Sequence, residues 1–326
     1  MKFFREIKMD NKKLLSLIIP VFNAEQYLDA CLSSVFVQWD NTLEIIVIND
    51  GSTDNSANII QKYSEKYDFV YISQENTGIS VVRNMGLSVS TGEYITFLDA
   101  DDIWCNEIYS SIKKIILENS PDGMVFNYSE VLDDKEHVFE LIKVNKFTVD
   151  RLEHVKLKIA ESEMFYVWRC VFKKNIFSGM VFDVGRRFED QLLLPILIDK
   201  CKSIFECKDL IVKYRQISSS ITKNLNISDL DDSEFGLIRF RDKYSEYKNK
   251  YWAVVLASVF MSHISKCARI YHFNKIRALD SFNKSYAIVS MKPILHSGKL
   301  KPILYYIVKY KLFYRLVSAV EKEVRK

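Results

Sequence analysis

The chain has 326 residues, 48% hydrophobic and 27% charged, which gives material for a large core and excludes a disordered polar segment. Lysine plus arginine number 46 against 42 aspartates and glutamates, so the net +4 offers no global electrostatic argument for nucleic acid as partner. The six cysteines (Cys31, Cys105, Cys170, Cys201, Cys207 and Cys267) have no C-x-x-C spacing and several fall in apolar runs, which argues against disulfide and thiolate-metal chemistry.

The N-terminal stretch MKFFREIKMDNKK is charged throughout and lacks the apolar centre of a signal peptide, so a cytoplasmic location is expected. From residue 14 to 132, short β-branched runs alternate with longer amphipathic ones. LLSLIIPVF, LEIIVIND, FVYISQ, EYITFLD and DGMVFNY read as strands. AEQYLDACLSSVFVQ, TDNSANIIQKYSEKY, GISVVRNMGLSVS and NEIYSSIKKIILENS read as helices. This βαβ series predicts an α/β fold, with a mostly parallel central sheet covered by helices on both faces and ligands collecting at the carboxyl ends of the strands. Beyond residue 133 the alternation weakens to a helix over 148–162, a loop opening into a helix near Glu189, and a strand LIVKYRQ. Residues 1–225 are expected to form the α/β domain and 226–326 a C-terminal helical region. The longest uncharged run, YWAVVLASVFMSHIS, is shorter than the roughly 20 residues of a spanning helix. The positive excess lies in KPILYYIVKYKLFYRLVSAVEKEVRK, read as one helix over about 302–326 with Lys311, Arg315, Ser318 and Lys322 on one face. Such a basic, aromatic helix suits an anionic membrane surface, and equally suits packing on its own domain.

Three strand ends carry polar residues: PVFN, NDGSTD and DADD. Any one could be turn chemistry, but three in order, each after an apolar strand, describe a composite pocket. Asp99, Asp101 and Asp102 are the sharpest feature, since ionised carboxylates roughly 5 Å apart repel by about 3 kcal/mol at an effective dielectric of about 20. A positive partner is required.

Through SLIIPVFNAEQYLDACLSSV, LEIIVINDGSTDNS, NTGISVVRNMGLSVSTGEYITFLDADDIW and RRFEDQLLLPILI, the chain resembles the inverting glycosyltransferases of family two, with the Rossmann-like GT-A fold. The likeness covers about residues 14–220. It implies that Pro20 and Phe22 border the nucleotide base, Phe22 standing where many relatives carry Tyr, and that Asp50 accepts a hydrogen bond from it. Arg83 is the implied basic residue beside the nucleotide. In Asp99-Ala100-Asp101, Asp99 approaches the ribose and Asp101 coordinates Mn2+ or Mg2+ between the donor's phosphates. Asp102 is a supporting residue or the N-cap of a following helix. In FED, Asp190 is the implied catalytic base, with Glu189 beside it. Trp168 and Arg187 could serve the acceptor side, or simply pack and carry surface charge.

The resemblance therefore implies metal-dependent, non-processive transfer of one hexose, with inversion, from a nucleotide sugar, a UDP-sugar by preference, to an acceptor hydroxyl. The absence of a Q-x-x-R-W motif argues against a processive synthase. The expected acceptor is a lipid-linked saccharide of surface-polysaccharide or O-antigen assembly, at the inner face of the cell membrane. Phosphatases with a D-x-D nucleophile need that motif on the first strand, which here ends in PVFN. The alternative is a non-catalytic nucleotide-sugar-binding module whose tail recruits a partner or membrane.

Overall fold

The computed structural model describes residues 13–132, 135–139, 152–217 and 224–324. β1 (Leu15–Val21) and β2 (Leu43–Asp50) are buried along their whole length, because helices cover both faces of a parallel strand and an apolar residue is needed at every position. They run parallel from Leu15↔Leu43 to Val21↔Asn49, with α1 (Leu28–Phe36) as the crossover. α2 (Ser56–Ser64), β3 (Val70–Gln74), α3 (Ile79–Val89) and β4 (Tyr94–Phe97) complete a parallel β3-β2-β1-β4 layer in which the five expected strands and four expected helices of residues 14–132 begin to appear in order. Gly86 lets α3 lie against β1, since a Cβ there would stand 2.5 Å from Ile18 Cγ2.

The sheet then becomes mixed. β5 (Ile103–Trp104), α4 (Ile108–Asn119), β6 (Gly123–Leu132) and β7 (Lys135–Phe139) follow, then α5 (Leu152–Glu161) and β8 (Cys170–Lys173). After α6 (Glu189–Lys200), β9 (Ile204–Arg215) pairs parallel with β6 and antiparallel with β5, giving the order β3-β2-β1-β4-β8-β6-β9-β5 with β7 beside β6. The described part of the expected 148–162 helix is α5; residues 148–151 lie outside the described residues.

The chain divides into two compact units, each discontinuous in sequence. The first, residues 1–149, 166–185 and 200–216, holds the sheet. The second comprises 150–165, 186–199 and 217–326: α5, α6, α7 (Ser228–Tyr247), α8 (Lys250–Ile270), α9 (Lys275–Ile288), α10 (Met291–Ser297), α11 (Leu300–Val308) and α12 (Tyr310–Val324). α8 is its core: α5, α7, α9, α10 and α12 all pack on it. By length and composition α8 could cross a membrane, but 83% of its apolar window is buried within the fold.

The C-terminal expectation of one helix is corrected. The chain breaks at Lys309, with φ +35°, into α11 and α12, without a glycine or proline at the break. Phe313 and Val317 of α12 are buried, Phe313 lying 4.2 Å from the Phe282 ring centroid, while Lys311, Arg315 and Ser318 are exposed. The side chain of Lys322 lies outside the described residues.

Candidate active site

The parallel strands of the first unit deliver their carboxyl ends to one edge. Pairing of β1 with β4 stops at Ile18↔Phe97, two residues short of Pro20, so the proline ring withholds no N–H that β4 could use. Pro20 is buried in β1, and Phe22, just beyond it, is 52% exposed. The turn after β1 is laced to the turn after β2: Asn23, at φ +48°, donates from its N–H to Ser52 Oγ (3.1 Å) and accepts at Oδ1 from Thr53 N–H (2.8 Å). Glu25 N–H donates to Asp54 Oδ2 and Asn55 N–H to Glu25 Oε2. Ser52, Thr53 and Asp54 of NDGSTD thus perform turn chemistry between two loops, while Asn49 Oδ1 accepts from Ser52 N–H within its own turn, and together they fix the pocket wall.

Asp50 ends β2 and is buried. Its Oδ1 accepts from Gln74 Nε2 (2.8 Å), Thr77 N–H (2.9 Å) and Thr77 Oγ1 (3.0 Å), and its Oδ2 from Gly78 N–H (2.9 Å) at the start of α3. Burial pushes this carboxyl's pKa up, yet the donors from Gln74, Thr77 and Gly78 outweigh it and hold the pKa below the ordinary value. Its acceptor capacity is largely engaged by its own chain, three donors on Oδ1 and one on Oδ2, so any further donor has to share Oδ2. Gly51 follows at φ +72°, and a Cβ there would stand 2.6 Å from Asn76 N.

At the end of β4, Arg83 Nη2 donates to Asp99 Oδ1 at 2.9 Å. Arg83 is buried, with its guanidinium 5.5 Å from the Phe182 ring centroid and 5.9 Å from that of Phe97, so it is no solvated helix-face arginine. Ala100 is buried between the acids. Burial and then the charge of Asp99 push the Asp101 carboxyl up to about 6, against an opposing pull from Arg215. Asp102 is fully buried and raised well above the ordinary value by burial and by its two neighbouring acids. It caps no helix: β5 follows it, and its Oδ1 accepts from Arg215 N–H at 2.8 Å, while its buried Oδ2 has no hydrogen-bond partner among the described residues. Arg215 Nη1 also donates to the carbonyl of Asp101, at 3.1 Å. Arg215 is the cation that the sequence did not reveal.

One arginine on Asp99 and one on the Asp101–Asp102 segment leave the Asp101 carboxylate costly to ionise. Hard oxygen donors short of positive charge fit a divalent cation. No group of three or more His, Cys, Asp or Glu residues able to hold a metal occurs among the described residues. A cation here must therefore draw most of its ligands from phosphate oxygens and water, as Mg2+ does when bound by one or two carboxylates. The residues fit Mn2+ or Mg2+ on those terms, and Asp101 is the carboxylate that could hold such an ion.

Asp190 stands on the second unit, at the start of α6, while the other named site residues stand on the first. Its Oδ1 accepts from Gln191 N–H at 2.8 Å, and Glu189 is buried. The turn into α6 is fixed from α7: Arg186 Nη1 pairs with Asp232 Oδ1 (2.9 Å), Arg187 N–H donates to Asp232 Oδ2 (3.0 Å), and Arg187 Nη1 pairs with the fully buried Asp229 (3.1 Å). Phe188 is thereby held at φ +60°, a conformation an L side chain takes at a cost. Arg187 is thus a brace for the Glu189–Asp190 turn. Trp168 belongs to the first unit's core, buried and stacked on Tyr166 (5.0 Å) and Tyr214 (5.6 Å).

The Glycosyl transferase family 2 model matches residues 16–176. WfgD of Escherichia coli, a UDP-Glc:alpha-D-GlcNAc-diphosphoundecaprenol beta-1,3-glucosyltransferase, is 30% identical over 212 residues, which is 65% of this chain and 80% of WfgD. The chain belongs to glycosyltransferase family 2. This family 2 enzyme is also 33% identical over 190 residues to glycosyltransferase GlyA of Streptococcus pneumoniae serotype 4, covering 55% of the chain and only 27% of GlyA. Its fold is GT-A, as in S. aureus TarS 1–349 solved with UDP-GlcNAc: TM-score 0.73 at 17% identity, over 95% of this chain and 92% of that one.

Proposed function

We propose that this glycosyltransferase moves one hexose from a UDP-sugar to an acceptor hydroxyl with inversion, non-processively and with Mn2+ or Mg2+. The observation that carries the reading is the acid cluster closing β4, where Asp101 lies half-buried and short of positive charge beside an Asp99 already paired to Arg83. Pro20 and half-exposed Phe22 flank the base, and Asp50 holds the 74–78 loop while offering it a carboxylate oxygen. Asp99, oriented by Arg83, meets the ribose. A divalent cation bound by Asp101 would offset the charge that builds on the leaving diphosphate.

Asp190 takes the proton of the acceptor hydroxyl as that oxygen bonds to the anomeric carbon and the bond to the diphosphate breaks on the opposite face. A positioned base contributes about 10² to 10⁴ in rate. The brace from Arg187 to Asp229 fixes the turn on which this base stands. UDP as carrier is favoured by the ligands named for WfgD and TarS, and a lipid-linked saccharide in surface-polysaccharide or O-antigen assembly by the diphosphoundecaprenol acceptor of WfgD. The exposed Leu300, Leu304 and Ile307 of α11, with Lys311 and Arg315 of α12, support reversible contact with the inner face of the cell membrane. Incubation with a panel of nucleotide sugars and Mn2+ tests the reading: release of nucleoside diphosphate from one UDP-sugar is expected, and release from none refutes it.

A further inference from the structure

The second unit contains a cavity of about 330 Å³, within the usual size range of small-molecule sites, that none of the assigned roles uses. Its wall carries the cations Lys266, Arg269 and Lys301 against a single carboxylate, Glu163. That carboxylate is already paired, accepting from Lys299 Nζ at 3.0 Å. Hydroxyls of Ser258, Ser262, Ser265 and Tyr305 complete the polar lining. Phe188 and Gln191, on either side of the Glu189–Asp190 pair, form part of the same wall, so whatever occupies the cavity lies beside the base on its own unit.

Lys266 is the unusual member. It comes from the apolar α8, it is buried, and its Nζ donates to a neutral partner, Ser262 Oγ, at 3.0 Å. Its Nζ also lies 4.2 Å from the Phe188 ring centroid. Burial lowers its pKa to about 8, with Asp229 and Asp190 pulling the other way. Asp229 is committed to Arg187, and among the described residues no carboxylate is ion-paired with the Lys266 ammonium, Asp190 acting on it only at longer range. A buried lysine, an exposed lysine, an arginine and several serine hydroxyls on one wall form a set of donors suited to a group with several anionic oxygens.

We infer that this cavity binds the phosphate or diphosphate group of the acceptor, holding the sugar hydroxyl that is to be glycosylated near Asp190. The inference rests on the glycosyltransferase reading above and deepens it: the acceptor is a phosphate-bearing molecule, and its anion is recognised by the second unit, whereas the donor's is recognised by the first. Lys266 and Lys301 are positioning residues, since neither touches the reacting atoms.

The test uses the full chain in EDTA without nucleotide, with inorganic pyrophosphate titrated calorimetrically and vesicles of phosphatidylglycerol in a parallel arm. Two variants are compared, Lys301→Gln at an exposed position and Lys266→Met, close in volume. Saturable pyrophosphate binding that weakens about tenfold or more in each variant is expected. No binding to the wild type, or equal binding by both variants, overturns the inference. Vesicle binding that depends on the two lysines, without pyrophosphate binding, also overturns it by assigning the cavity to a lipid headgroup. Because donor and metal are absent, failure here is separable from failure of the nucleotide-sugar panel.

Discussion

The acid cluster predicts that the protein is less stable for keeping Asp101, and that Asp101→Asn stabilises the metal-free chain. A carboxyl raised from 3.8 to about 6 by burial and by Asp99 holds its proton more tightly folded than unfolded. Stability is therefore full below about pH 3.8, falls as pH rises towards 6 and stays reduced above it. That rise corresponds to about 3 kcal/mol at neutral pH, and screening of a partly exposed group reduces it to about 2 kcal/mol. At about 2–4 °C per kcal/mol for domains of 150–250 residues, Asp101→Asn raises the unfolding temperature by about 4–8 °C in EDTA at pH 7.5. The gap closes towards pH 4, where the wild-type carboxyl is protonated in the folded state. Addition of Mn2+ and UDP narrows it again, because only the wild type gains the cation. Calorimetry at the two pH values checks this; an Asp101→Asn protein less stable than wild type in EDTA, or a gap that persists at pH 4, refutes the reasoning.

Asp190→Asn should keep UDP affinity while turnover falls by about 10² or more, and Glu189→Gln should cost less turnover; steady-state kinetics with the identified donor decide, and the reverse order would exchange the two roles. Gly51→Ala should weaken UDP binding and loosen the 74–78 loop, because its Cβ would stand 2.6 Å from Asn76 N at φ +72°; unchanged affinity in a UDP titration contradicts the tight approach. Leu304→Glu with Ile307→Glu should reduce sedimentation with anionic liposomes without altering the melting temperature, since both residues are exposed; unchanged sedimentation places any membrane contact elsewhere.

The parallel half of the sheet was legible because strands covered on both faces read as unbroken apolar runs, and their polar ends then stand out. β1, β2 and β4 with Asn23, Asp50 and Asp99 are of this kind. The mixed half was not. β8 is four residues within VWRCVFKKNIF, and β9 was visible only in its second half, because pairing with β6, rather than local periodicity, makes its first half a strand. Arg215 reaches Asp102 from 113 positions away, a separation that no motif carries. Asp229 and Asp232 look in sequence like favourable charges at a helix start, and only the packing of the turn before α6 shows them bracing Arg186 and Arg187. The division of α11 from α12 has no sequence signal, since Lys309 adopts its positive φ where the packing of Phe313 directs the chain away from α11.

A cation carried by Asp101 is expected to join the donor's diphosphate to the end of β4. Calorimetric titration of UDP into the full chain with and without Mn2+ tests it most directly. Affinity should rise at least about tenfold with Mn2+, and Asp101→Ala should abolish that rise while binding UDP alone as the wild type does. Equal affinity with and without the metal, or an undiminished metal effect in Asp101→Ala, contradicts the claim.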